Sequence, residues 1–165
     1  DNFVLQSLAD VLNIKLIEQL REEKGSVYGA SASGRLTKYP YSYSSFTISF
    51  PCSPDNADTL SKAAIEELKK ILDNGVMAED LEKIKEQQKR KLEVDMKQNQ
   101  FWMGSLYDAY YTGNNPADIP NRIKQTESLT SKMIQDAAKK YINLSKYIRM
   151  VLQPDKNEMK PMKPF

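Results

Sequence analysis

The sequence contains no histidine, and that absence removes more chemistry than any residue present adds. Without imidazole there is no zinc site of the usual histidine kind, no serine or cysteine triad of the usual design, and no side chain that titrates near neutrality. A single cysteine, Cys52, excludes an intrachain disulfide and leaves the redox compartment open. No apolar run reaches the roughly 18 residues that a membrane-spanning helix needs. Neither sign of charge dominates. The 24 Lys and Arg are interleaved with 22 Asp and Glu, so no basic stripe marks the chain for nucleic acid and nothing marks it for a membrane. The chain starts Asp1-Asn2-Phe3, already in helical pattern, with no initiator methionine and no signal peptide, and reads as a piece of a longer polypeptide.

What is present is enough for one folded domain of 165 residues with a real core. Leu5, Leu8, Leu12, Leu16 and Leu20 recur at helical spacing, predicting a mostly buried helix over 2–23 whose narrow polar stripe is Gln6, Asp10 and Asn13. Gly25 suits the left-handed position after a helix end. Residues 27–37 then read as a strand with little to bury, through Gly29, Ala30, Ser31, Ala32, Ser33 and Gly34. That strand is either a poorly packed edge or a surface on which another backbone lies closely. In the segment 41–51, Phe46, Ile48 and Phe50 alternate with Ser45, Thr47 and Ser49, predicting the second strand of an antiparallel hairpin.

Helices follow over 57–73, 78–97 and 100–111, then one capped by Thr130. The third is charge-dense, with Glu79–Lys83 and Glu86–Arg90 at favourable spacing. The fourth carries Phe101, Trp102, Tyr107, Tyr110 and Tyr111, aromatics that at helical spacing are expected in a core. Residues 146–153 read as a closing strand with Ile148, Met150 and Leu152 on one face. Strands and helices are segregated, so the expected class is α+β: a two-layer, mostly antiparallel sheet with helices packed on one face. The expected boundaries are one domain over 1–153 and a flexible tail over 154–165.

Chemistry concentrates at one junction, L-R-E-E-K-G-S-V-Y-G, residues 20–29. Arg21 falls in the last helical turn, and Tyr28 lies seven residues on. A guanidinium fork grips carbonyl oxygens and a phenol donates to a developing oxyanion, so the pair could hold a peptide carbonyl and its tetrahedral intermediate. Spacing alone equally allows Arg21 to offset the negative helix end and Tyr28 to pack.

That stretch, the small-residue strand, F-T-I-S-F-P-C, the helix ending D-N-G-V and the later L-T-S-K-M-I-Q-D-A-A-K-K-Y-I together resemble the carboxyl-terminal-half domains of pitrilysin/insulinase-type zinc metallopeptidases. The resemblance runs over residues 3–153. It implies a pitrilysin-like or mitochondrial-processing-peptidase-like metallohydrolase domain that closes with a homologous half, like a clamshell, around a peptide. It assigns substrate binding and oxyanion support to Arg21 and Tyr28. In this family the amino-terminal half bears H-x-x-E-H, and that motif is absent here, as is the strand that usually precedes the first helix. Met77 stands where a capping threonine is frequent. The resemblance therefore implies no metal in this chain, zinc in the parent's amino-terminal half or a partner subunit, and a fragment inactive alone. A non-catalytic structural or assembly relative is the alternative, and a bacterial periplasm or cell envelope is the implied setting.

Overall fold

Helix α1 (Asn2–Lys24) is the element on which the others pack. Leu5, Leu8, Leu12 and Leu16 are fully buried, with Ala9 and Val11 beside them, as the leucine spacing predicts. Removing each leucine from water contributes roughly 1.5–3 kcal/mol, so this face dominates the core. The computed structural model describes residues 1–24 and 29–153, and of residues 20–24 the backbone only. In it, α1 meets a sheet as well as helices from the middle and the end of the chain.

The sheet has two strands, β1 (Ser31–Thr37) and β2 (Tyr43–Ser49), joined by a turn containing a cis Tyr39–Pro40 peptide. They pair antiparallel, with Ser31 opposite Ser49 and Thr37 opposite Tyr43. The expected hairpin is there, shorter than predicted at both strands. Residues 27–28 of the predicted first strand lie outside the described residues. Phe46 and Ile48 turn toward the core from β2, and Ala32 is the buried residue of β1.

After a 3-10 turn (Pro54–Asn56), α2 (Ala57–Asn74) buries Leu60, Ala64, Leu68 and Ile71 and stops at Gly75, whose φ of 77° disfavours any residue with a Cβ. In α3 (Ala78–Asp95), Ile84 and Asp80 are buried, and the expected ion pairs Glu79–Lys83 (2.8 Å) and Glu86–Arg90 (2.5 Å) form on its solvated face. Next come α4 (Asn99–Thr112), a second 3-10 turn (Pro116–Asn121) and α5 (Arg122–Glu127). In α6 (Ser131–Tyr141), Ile134, Ala137 and Ala138 face inward, and the Thr130 hydroxyl caps the helix by accepting from the Met133 N–H at 3.2 Å. The class is α+β, an antiparallel sheet and six helices.

Two expectations are corrected. Residues 146–153 form no strand. No backbone ladder partner reaches them among the described residues; a turn bond from the Lys146 N–H to the Asn143 carbonyl and an ion pair between Arg149 and Asp58 hold the segment instead. Ile148, at 87% exposed, and its alternating neighbours face solvent, so period-2 alternation without a neighbouring strand did not suffice. The aromatics of α4 are also not core. The helix buries Ser105 and Ala109, a face of small residues, while Tyr107, Tyr110 and Tyr111 are exposed. Their rings pack on the surface: Tyr107 stacks on Tyr111 at 5.9 Å, and Tyr39 of the hairpin turn meets Tyr111 edge-on at 5.4 Å.

Candidate functional site

Arg21 sits in the last turn of α1, where the sequence places it; its side chain and the whole of Tyr28 lie outside the described residues. What the structure does give is the frame on either side of the junction. The side-chain amide of Asn13 binds both backbone groups of Ala32: its Oδ1 accepts from the Ala32 N–H at 2.5 Å, and its Nδ2 donates to the Ala32 carbonyl at 3.1 Å. Two residues further, a Cβ on Gly34 would lie 2.8 Å from both the Cγ and the carbonyl oxygen of Leu5. Two further still, the Leu36 N–H donates to Asn2 Oδ1 at 2.8 Å. In an antiparallel ladder a residue sends both backbone groups to the same side, so alternate residues of β1 point away from β2. Helix α1 meets that outward edge at Ala32 and Leu36. The small-residue strand does therefore accommodate a close backbone, that of α1. Ser31, Ser33 and Arg35 remain exposed on β1.

A second polar seam joins α1 to α3. Gln88 Nε2 donates to Ser7 Oγ at 3.0 Å and to Asp10 Oδ2 at 2.7 Å, and Ser7 Oγ donates back to the Phe3 carbonyl at 3.0 Å. Burial pushes the Asp10 carboxyl above its ordinary value, and the Gln88 hydrogen bond opposes part of that shift. One turn along, Lys15 Nζ lies 2.8 Å from the buried Asp80 carboxylate and 3.3 Å from Glu18. Burial lowers the Lys15 ammonium and those two carboxylates raise it by more, so the net shift is upward. Asp80 also lies in the first turn of α3, where the helix dipole favours a negative charge.

Asn13, Asp10 and Lys15 are what residue-by-residue reading missed. They interrupt an otherwise apolar helix, which was the available signal, but a polar stripe does not announce whether it meets water or backbone. Zinc does not fit this chain. The sequence has no histidine, and among the described residues no three Cys, Asp or Glu side chains converge. No helix among the described residues is long and apolar enough to cross a membrane.

Residues 1–88, more than half of the chain, match the peptidase M16 inactive domain. The chain belongs to that family. A zinc protease PQQL-like protein of Arabidopsis thaliana is 26% identical over 166 residues, an alignment covering 91% of this chain and 17% of that protein. The fold is that of a peptidase M16 inactive domain from Pseudomonas fluorescens, with a TM-score of 0.70 and 20% identity over 86% of this chain and 34% of that one. It is shared with the first half of the periplasmic protease PqqL from Escherichia coli, with a TM-score of 0.64 and 18% identity over 82% of this chain and 31% of that one. The M16 domain thus spans only a small part of the length of its curated relative. The resemblance seen in L-R-E-x-x-G-x-x-Y and its flanking segments is a true family relationship.

Proposed function

We propose that this chain is the substrate-binding, non-metal-binding domain of a zinc-dependent endopeptidase, with Arg21 and Tyr28 gripping the peptide backbone and stabilising the oxyanion. The observation that carries the reading is the Arg…Tyr pair, seven residues apart within L-R-E-x-x-G-x-x-Y, in a chain of the M16 inactive-domain family. The chemistry follows from the two side chains. A guanidinium donates two N–H bonds to a carbonyl oxygen while keeping its charge, and a phenol donates a third bond that strengthens as negative charge develops. Neither group cleaves a bond alone, so the hydrolytic centre belongs to a homologous zinc-bearing half, in the same polypeptide or in a partner subunit. The clamshell closing of two such halves gives the peptide its second wall. Support for a partner half comes from the relatives, in which the matched region is a minor part of a longer protein. The E. coli structure that shares the fold is named as periplasmic, which supports a periplasmic or envelope setting here. The domain itself is taken as residues 1–153, with 154–165 a tail.

The test is peptide hydrolysis by the full-length protein, with its zinc-bearing partner if that is a separate subunit. Arg21→Ala and Tyr28→Phe should each lower kcat on the order of a hundredfold while leaving zinc content unchanged. Unchanged hydrolysis in both variants overturns the reading in favour of a structural or assembly role.

A further inference from the structure

We propose that Asn13 is a positioning residue for the Arg21–Tyr28 pair, setting through the backbone of Ala32 how far along helix α1 strand β1 sits; the inference rests on the function proposed above. Ala32 is buried, and the Asn13 amide satisfies both of its outward backbone groups, a pairing that an apolar side chain cannot reproduce. The helix and the strand run in opposite directions. Asn2 meets Leu36, Leu5 meets Gly34, and Asn13 meets Ala32, so positions rise along α1 as they fall along β1.

Asn13 is the last of these three ties before the junction, and simple rises show its reach. From Asn13 to Arg21 the helix climbs eight residues, about 12 Å at about 1.5 Å each. From Ala32 back to Tyr28 the chain has four residues, which extend to at most about 14 Å. The two arms leaving the tie are thus of matched length, and one is a rigid helix. A slip of one residue at Ala32 would shift the strand by about 3.3 Å and exchange its faces. Oxyanion donors tolerate far less, since a misplacement of about 1 Å can cost on the order of a hundredfold in rate. Gly34 contributes to the same register, because only a residue without Cβ lets β1 come this close to the Leu5 carbonyl. Asn13 itself touches no substrate in this arrangement; it acts through the strand.

The experiment uses the full-length protein with its zinc-bearing half and a two-by-two set of variants. Asn13→Gln keeps both hydrogen-bonding groups but moves them out by one methylene. It is preferred to Asn13→Leu, which strands the buried Ala32 groups and risks the fold. Asn13→Gln should keep a native unfolding transition and lower kcat about 10- to 100-fold with KM nearly unchanged. In a Tyr28→Phe background the same substitution should cost less than about threefold, because the donor it positions is already gone. An equal loss in both backgrounds overturns the proposal, since Asn13 would then merely hold the fold. Unchanged kcat for Asn13→Gln alongside a damaged Tyr28→Phe also overturns it, and leaves the proposed function standing. If Tyr28→Phe is itself silent, the proposed function fails and the positioning role fails with it.

Discussion

A methyl group built on Gly34 would press into both the side chain and the backbone carbonyl of Leu5, whereas one built on Gly29 meets nothing within 4 Å. Leu5 is fully buried and its carbonyl belongs to the α1 ladder, so neither contact yields cheaply. Gly34→Ala should therefore destabilise the fold by about 1–3 kcal/mol, while Gly29→Ala stays within about 1 kcal/mol of the parent, as urea unfolding can measure. Asp10 gives the residue scale a pH signature. Its folded-state pKa is raised by burial, so the fold favours the protonated form. The stability from that preference is fully present below the ordinary carboxylate value and is lost as pH rises through the folded value. Asp10→Asn keeps an acceptor for Gln88 and carries no charge to desolvate. Its melting temperature should exceed the parent's at pH 7, and the difference should vanish near pH 3; a gain that persists at low pH would rule out desolvation as the cause.

Elements are joined here by single side chains that no local pattern reveals. Ser131, the first residue of α6, accepts from the Val76 N–H and donates to the Val76 carbonyl, both at 2.8 Å, tying the α2–α3 loop to α6 across 55 positions. Val76 is buried, so Ser131→Ala leaves both its backbone groups unpaired. A loss of about 1–3 kcal/mol is expected, with the α2–α3 loop amides exchanging faster in hydrogen exchange, whereas Thr at that position should restore most of it. Such long-range ties mark the boundary of what sequence reading could reach. The leucine register of α1, the Gly75 stop, the Thr130 cap and the ion pairs of α3 are local, and each stands where its spacing put it. The aromatic α4 and the alternating 146–153 segment also have clear local patterns, but their fate depends on which neighbours cover them. The small Ser105 and Ala109 took the inward face of α4, and no strand came to lie beside Ile148. The Arg21–Tyr28 pair stood out through its spacing; Asn13, which touches Ala32 from 19 positions away, did not.

At the scale of the molecule, helix α1 is at once core and frame. Its leucines are buried among β1, α2, α3 and α6, and its polar residues hold a strand edge on one side and Gln88 and Asp80 of α3 on the other. All of this cohesion comes from apolar burial, hydrogen bonds and one half-buried ion pair, with no cluster of metal-binding side chains among the described residues. Where a metal is ligated by a domain, its binding free energy is part of that domain's folding free energy, and chelation loosens the domain. Here the two should separate. In the full-length protein, a chelator such as EDTA should abolish peptide hydrolysis while the backbone amides of Leu8 and Leu12 in α1 keep their hydrogen-exchange protection. Protection at those amides reports the opening of α1 from its core, and a metal held by another domain offers that opening no linkage. A loss of protection on chelation, recovered on adding zinc, would place a ligand in this domain and overturn the division of labour between a cutting half and a holding half.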